Sequence, residues 1–318
     1  MKPLLLSLLI AVTLWADAHV FVYHRFGDSR YPTTNTTIEE LKKEFEYFKK
    51  NGYEVIPLAK LTAALKEKKE IQNNWIVLTI DDNFKSFYTN AFPIFKEYNY
   101  PFSVFVYVEA TQKRYPDYLT WDQLREIKEY GSIEFHSYGH KHMTYLSDDE
   151  IREDFDKGLS LFKKELKMEP KVFTYPYGEF SPRVKKVVKE YGFDAIINQN
   201  MGAVSDFSDV YDIDRTALVG KSNIKLYLRY KALKSQWKEP TVFPANSVLK
   251  ALHVTTNEKA KKGGVYITGY GWLETELKNG TFDMQLNKKL INKRSRIVIS
   301  VGNKISTKLL IKDKYGTR

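Results

Sequence analysis

The chain has 318 residues, 43% hydrophobic and 28% charged, which are globular proportions and exclude a wholly disordered polymer. Lysine and arginine outnumber aspartate and glutamate by 50 to 39; the net charge of +11 is spread along the chain, so a solvated basic surface is expected and a nucleic-acid footprint is not. Cysteine is absent, which excludes disulfides, thiolate metal sites and cysteine nucleophiles together, and any metal must be held by His, Asp or Glu.

The first segment reads as an export signal. Lys2 supplies the positive start, residues 4–14 form an apolar run broken only by Ser7 and Thr13, and Ala16-Asp17-Ala18 fits a small-x-small cleavage site. The run falls short of the roughly 20 residues that span a bilayer, and no other segment is apolar enough over that length to be transmembrane. Cleavage is expected after Ala18, leaving an exported protein, periplasmic or extracellular, that begins at His19.

Alternating strands and helices follow. A strand is expected at 19–23, a helix at 38–50 capped by Thr36 or Thr37 and stopped by Asn51-Gly52, a strand at 53–56 and a helix at 58–68. The most apolar strand, 75–80, ends in Asp81-Asp82. A helix at 84–98, a strand at 102–108, a helix near 121–130, a strand at 132–135, a helix near 147–166, a strand at 172–175, a helix at 181–191 and a strand near 195–197 complete the series. The alternation predicts an α/β fold with a parallel sheet, and seven or eight strands over about 200 residues suit a barrel or distorted barrel. We place this unit at 19–240. Beyond Pro240 and Pro244 only short strands are expected, at 247–254, 264–268, 272–277, 281–286, 296–301 and 306–311, with Asn279-Gly280 as a hairpin signal. Residues 243–318 therefore read as a small antiparallel β domain.

Four groups of residues at strand ends can carry chemistry. In Thr79-Ile80-Asp81-Asp82, one carboxylate can bind a metal while its neighbour accepts a proton, although Asp before a helix also serves as an N-cap. In His136-Ser137-Tyr138-Gly139-His140, two histidines four apart can reach one cation, or form a surface cluster with His142. In Tyr175-Pro176-Tyr177-Gly178, the tight turn can aim the Tyr177 backbone N–H at a developing oxyanion, or simply pack its aromatics. In Asp212-Ile213-Asp214-Arg215-Thr216, Arg215 can orient a carboxylate and lower its pKa, or form a structural ion pair.

In order, spacing and strand-end position, these residues resemble the polysaccharide deacetylase family (carbohydrate esterase family 4). Thr79-Ile80-Asp81-Asp82 is similar to its Thr-Phe/Tyr-Asp-Asp motif, His136 to His140 to its His-Ser/Thr-x-x-His motif, and Pro176-Tyr177-Gly178 to the end of its Arg-x-Pro-Tyr/Phe-Gly motif. Tyr23-His24-Arg25 also resembles the first strand of many members. The resemblance covers about 20–230 and implies a distorted (β/α) barrel. It implies that Asp82, His136 and His140 bind a divalent metal, usually zinc, with cobalt or nickel as alternatives. It further implies that Asp81 is the general base for the attacking water and that the Tyr177 N–H stabilises the oxyanion, with acetate and a free sugar amine as products.

Two departures stand out. Thr174 or Tyr175 occupies the place of the motif's Arg, which Arg215 can replace. The family's late acidic histidine has only His253 as a counterpart, inside the expected β domain, and His24 is an alternative proton donor. The function expected is an exported, metal-dependent N-deacetylase acting on a polysaccharide of N-acetylated sugars. An O-acetyl esterase and a catalytically silent carbohydrate-binding protein are the alternatives. Tyr266, Tyr270 and Trp272 offer a sugar-stacking face on the β domain, or its packing core.

Overall fold

A computed structural model describes residues 17–316; the expected signal run lies outside the described residues. The expected cleavage point falls where the fold is already in use. Ala18 is buried and exchanges two backbone hydrogen bonds of 2.8 Å with Val204, and Asp17 is buried beside it, so cleavage after Ala18 would remove this bridge.

Eight parallel strands form the main sheet: β1 (His19–Tyr23), β2 (Glu54–Val55), β3 (Trp75–Ile80), β4 (Ser103–Val106), β5 (Ser132–Phe135), β6 (Val172–Thr174), β7 (Ala195–Ile197) and β8 (Thr216–Ala217). Their order is β8-β1-β3-β4-β5-β6-β7, with β2 beside the start of β3. The sheet curls until its edges nearly meet: Ile213, just before β8, bridges in parallel to Ile197 at the end of β7. This is the distorted (β/α) barrel that the alternation predicts.

Helices cover the outside. In α1 (Ile38–Lys50), Thr37 and Glu40 form a reciprocal capping box, and Leu41, Phe45 and Phe48 are buried on one face. The other helices of seven residues or more are α2 (Leu58–Lys66), α3 (Phe92–Tyr98), α4 (Trp121–Ile127), α5 (Asp148–Leu166) and α6 (Pro182–Lys189). Two expectations change here. The helix expected at 84–98 is interrupted by a π-helical turn, Phe87–Ala91, before the α-helix Phe92–Tyr98. Pro93, which has no N–H to donate, is tolerated in the first turn of α3 and not deeper. The strand expected to reach 108 stops at Val106, and residues Val108–Gln112 form a helix too short to show a period in the sequence.

Strand alternation sorts the core into two layers. Phe21, Tyr23, Leu78, Ile80, Val104, Val106, Phe135 and Phe173 pack outward under the helices. Val20, Val77, Phe105, Val172, Ala195 and Ile197 form the second cluster, closed by Leu58, Leu61 and Leu65 of α2. Each such side chain contributes about 1.5–3 kcal/mol relative to exposure. Further along the same strand faces the residues become polar: Thr79 and Asp81 follow Val77, His24 follows Val20 and Val22, Thr174 follows Val172, and Glu134 leads to His136. One end of the barrel thus gives up apolar packing for converging functional groups.

The chain then builds β9 (Lys231–Ala232), β10 (Ser235–Glu239), β11 (Val248–Thr256), β12 (Lys262–Ile267), β13 (Gly271–Glu276), β14 (Thr281–Lys289), β15 (Arg294–Val301) and β16 (Lys304–Ile311). A five-stranded sheet, β9-β16-β15-β12-β13, faces a three-stranded sheet, β10-β11-β14, across a core of Leu252, Val254, Val265, Ile267, Phe282, Ile297 and Ile299. The strands of this unit begin at Lys231 rather than at 243, because β9 and β10 are short and polar and carry no apolar alternation. β9 also pairs in parallel with β16, so the unit is not wholly antiparallel. Asn279 and Gly280 do form a tight turn with φ of 53° and 72°, but β13 and β14 on either side of it join different sheets.

Candidate active site

β3 ends in a turn that points two adjacent carboxylates in different directions. Asp82 and Asn83 both take positive φ, 66° and 44°, a conformation that Asp and Asn tolerate better than most side chains. Buried Asn83 fixes the turn: its Nδ2 donates to Thr111 Oγ1 (2.9 Å) and its Oδ1 accepts from Tyr107 N (2.7 Å). Asp81, on the inward face of the strand, meets Arg215. The guanidinium donates from Nη1 to Oδ1 (2.7 Å) and from Nη2 to Oδ2 (2.6 Å), and also to Thr79 Oγ1 (3.0 Å) and, through Nε, to the Asn198 carbonyl (3.2 Å). Both partners are buried. Burial alone would raise the Asp81 pKa; Arg215 and His136 beside it outweigh burial and hold it below the ordinary value.

Asp82 turns the other way, toward the two histidines. Its Oδ1 lies 3.3 Å from His136 Nε2 and 2.9 Å from His140 Nε2. The His136 ring is oriented from behind, since Nδ1 lies 2.8 Å from the Thr174 carbonyl oxygen, which can only accept. A proton therefore sits on Nδ1, and in the neutral ring the Nε2 lone pair faces Asp82. Oδ1 of Asp82 is buried and has no hydrogen-bond partner. Anionic oxygen and imidazole lone pair at this distance repel unless a cation lies between them. The ligand atoms of Asp82, His136 and His140 all lie within 4.8 Å of one another, the spacing of a shared divalent ion. This donor set fits such an ion.

The loop carrying His140 is held by a residue the sequence did not single out. Asp154 on α5 accepts from Tyr138 N and Gly139 N, both at 2.8 Å. Gly139 leaves the room this needs, since a Cβ there would lie 2.9 Å from Asp154 Oδ2. Ser137 and His140 take positive φ, 69° and 48°, and Ser137 Oγ accepts from His140 N at 2.9 Å. Thr174 and Asn198 are further contributors; neither has a sequence signal beyond its strand-end position.

Pro176–Gly178 form a single 3-10 turn in which Tyr177 has φ 59°. The turn's own bonds run from Gly178 N to Tyr175 O (2.8 Å) and from Glu179 N to Pro176 O (3.1 Å), leaving the Tyr177 N–H out of both. The Tyr177 ring contacts the His140 ring at 4.6 Å and stacks on His142 at 4.0 Å. His142 is not one of the three clustered ligands, and its Nδ1 instead pairs with Glu179 Oε2 (2.7 Å). His24 lies just beyond β1 with a buried Nδ1 that lacks a hydrogen-bond partner. Burial lowers its pKa, and the Asp82 and Asp81 carboxylates push the other way. His253 stays on β11 opposite Asp283 at 3.7 Å, in the three-stranded sheet.

Residues 68–196 match the family profile described as Polysaccharide deacetylase. The chain is 24% identical over 257 residues to the poly-beta-1,6-N-acetyl-D-glucosamine N-deacetylase of Escherichia coli K12; the match covers 67% of this chain but spans only 38% of that protein. Among solved structures, the fold is similar to the Streptococcus pyogenes deacetylase PplD (TM-score 0.61, 18% identity, 65% of this chain and 94% of that one). It is also similar to IcaB from Ammonifex degensii (TM-score 0.56, 21% identity, 64% of this chain and 92% of that one).

Proposed function

The chain carries a polysaccharide deacetylase domain, and from that premise we propose that it hydrolyses the acetamido groups of a polysaccharide of N-acetylated sugars, releasing acetate and leaving free amines. The observation that carries this reading is Asp82 Oδ1 set between His136 Nε2 and His140 Nε2, next to an Asp81 gripped by Arg215.

Asp82, His136 and His140 would hold the metal, with zinc the natural occupant of two imidazoles and a carboxylate, and cobalt or nickel acceptable to the same donors. When bound there, a divalent ion supplies Lewis acidity to the acetamide carbonyl. The rest of the work falls to the chain. Asp81 takes one proton from the attacking water while Arg215 fixes the direction of its free lone pairs. The Tyr177 N–H, unused by its own turn, faces the oxyanion as water adds to the carbonyl carbon. When the C–N bond breaks, the leaving nitrogen needs a proton, and His24 is our candidate to pass it, being a buried titratable ring beside Asp81 and Asp82. Tyr107 and Tyr177, whose rings lie 5.2 and 4.6 Å from His140, give this mouth aromatic walls suited to a sugar ring.

A polymeric substrate of this kind fits an exported protein, and we extend the proposal to export through the 1–18 segment. Among the described residues no helix is long and apolar enough to cross a membrane.

The test is acetate release from β-1,6- and β-1,4-linked N-acetylglucosamine polymers, measured as purified, after chelation and after zinc, cobalt or nickel is restored. Release that depends on metal and disappears in Asp81→Asn supports the reading. Release only from O-acetylated sugars would replace it with the esterase, and a folded protein that binds metal but releases nothing from either would replace it with a silent binding protein.

A further inference from the structure

The five-stranded sheet leans on the same loops that build the candidate site. Thr307 Oγ1 donates to the Met201 carbonyl (2.7 Å) and Arg296 Nη2 to the Gln199 carbonyl (3.3 Å). Arg294 Nη1 lies 3.8 Å from Glu179 Oε1, whose other oxygen pairs with His142 Nδ1. His142 stacks on Tyr177, which touches His140. An unbroken line of contacts therefore runs from a candidate metal ligand onto the outer face of this sheet.

That face does not end where the barrel does. β16 and β15 lie against the barrel loops, and β12 and β13 carry the same face further out. There Tyr266 and Trp272, directly opposite in the register, stand with ring centroids 5.7 Å apart. Trp272 is 56% exposed, an unusual state for a residue that large. Yet the indole lies close over the sheet. A Cβ on Gly264 of the neighbouring strand would lie 3.2 and 3.3 Å from its Cζ3 and Cε3 atoms, so the glycine makes room for the ring to lie against the sheet. The ring thus passes close over the glycine while more than half of the residue stays exposed. On β15, two residues from the Val298 that lies opposite Tyr266, Arg296 keeps a buried Nε without a hydrogen-bond partner.

We propose that Trp272 and Tyr266 form a sugar-stacking platform that holds the same polysaccharide chain several units away from the acetamide being hydrolysed. The proposal rests on the deacetylase reading for the identity of the polymer. The chemistry is the flat C–H face of a pyranose against an exposed aromatic ring, with the exposed Lys262–Glu274 pair on the same sheet face for hydroxyl and amide groups. Continuity with the candidate site is what selects a glycan strand as occupant, because a chain seated at Asp82 can run along the His142–Glu179–Arg294 line to reach the platform. A second point of attachment raises the effective concentration of acetamides at the site, so its benefit appears only with long substrates.

The full chain is titrated with β-1,6- and β-1,4-linked N-acetylglucosamine trimers and hexamers, and acetate release is followed on both lengths. Hexamers are expected to bind about tenfold more tightly than trimers, and Trp272→Ala to remove that advantage by raising KM on hexamers while kcat holds. Trp272→Phe should restore most of it, and Ile291→Ala, an exposed apolar side chain away from the platform, should change neither. A hexamer advantage that survives Trp272→Ala overturns the proposal, as does the lack of any length dependence in the unsubstituted protein. So does a loss of self-association in Trp272→Ala with glycan affinity unchanged, which would make the free edge of β13 a contact between copies. Trp272-dependent binding without acetate release would sink the deacetylase reading alone; acetate release indifferent to Trp272 would sink the platform alone.

Discussion

Arg215 reaches across the barrel to grip Asp81 with two parallel hydrogen bonds of 2.7 and 2.6 Å, although 134 residues separate them in the chain. Arg215 is fully buried and its guanidinium sits over the Phe105 ring at 5.5 Å. A planar fork on a planar carboxylate fixes the plane of Asp81 as well as its charge, which a point charge would not do. In the resembling family an Arg two residues before the Pro of the third motif stands near the first carboxylate of the Asp-Asp pair; here that place is taken by Thr174, whose carbonyl orients His136 instead. One strand end supplies the cation for Asp81 while another orients His136.

Removing that cation should damage both fold and site. Arg215→Ala leaves Asp81 buried without a partner, and breaking a buried pair from one side costs about 3–5 kcal/mol. Thermal unfolding should show that loss, and acetate release should fall by about a hundredfold or more in whatever protein stays folded. Arg215→Lys should recover part of the stability and little of the activity, since it restores charge without the fork. Full activity in the Lys variant would show that Asp81 needs only a nearby positive charge.

Asp154 makes a prediction about metal affinity without touching a ligand. It holds the N–H groups of Tyr138 and Gly139, the two residues before His140, and so sets where His140 sits. Asp154→Ala should weaken zinc binding by about 10- to 100-fold, the usual cost of losing an orienting partner, with Asp154→Asn intermediate because it keeps one acceptor. Titration calorimetry reads this directly. Substituting His136 or His140 by Ala should abolish stoichiometric binding, and affinity untouched in both would remove them from the metal site.

How much of this was visible in advance follows the reach of the interactions. Strand β3 and its Asp81-Asp82 end were legible because six consecutive buried residues and a charged stop are local facts, and so were β5 and the His136–His140 pair. The partners that arrive from elsewhere were not. Asp154 looks like one more acid on the amphipathic helix α5, and Asn198 is one asparagine in a polar loop. Arg215 is locally only a charged residue near a strand end; what pointed it at Asp81 was the resemblance, through the motif Arg that this chain lacks, and the structure places it there. β9 and β10 went unread because residues such as Ser235, Gln236 and Lys238 alternate no apolar face; they are strands through pairing with β16 and β11. The Asn279-Gly280 turn was legible as a turn, while the sheets its flanking strands join depend on packing that no dipeptide encodes.

The turn that presents Tyr177 should be intolerant at the next position. Gly178 has φ +62°, and a Cβ there would lie 2.5 Å from the Gln199 side-chain Cβ. Gly178→Ala should cost roughly 1–2 kcal/mol of stability from the left-handed backbone alone. Because relief of that clash must move the turn, kcat on a short substrate should also fall, by about tenfold or more, with metal content unchanged. Tyr177→Ala tests the complementary point, since it keeps the backbone N–H and loses only the stacking on His142. It should retain far more of kcat than Gly178→Ala, and the reverse order would move the role of Tyr177 from its backbone to its ring.

Glu44 predicts how the fold responds to pH. It is buried on the inner face of α1, where Tyr23 Oη donates to its Oε2 at 2.7 Å. Burial pushes its pKa up from 4.5 to about 7, the Tyr23 hydrogen bond pulls the other way, and Glu40 one turn back adds to the rise. A carboxyl whose folded pKa exceeds its unfolded one binds more protons when folded. Its contribution is therefore complete below about pH 4.5 and is lost as pH rises toward 7, after which the profile levels. Glu44→Gln keeps an oxygen for Tyr23 and removes the titration. The variant should gain stability relative to the parent on going from pH 5 to pH 8, by at most about 3 kcal/mol, in urea unfolding at the two pH values. Parallel stability profiles for the two proteins would mean that Glu44 ionises in the fold as readily as in the unfolded chain.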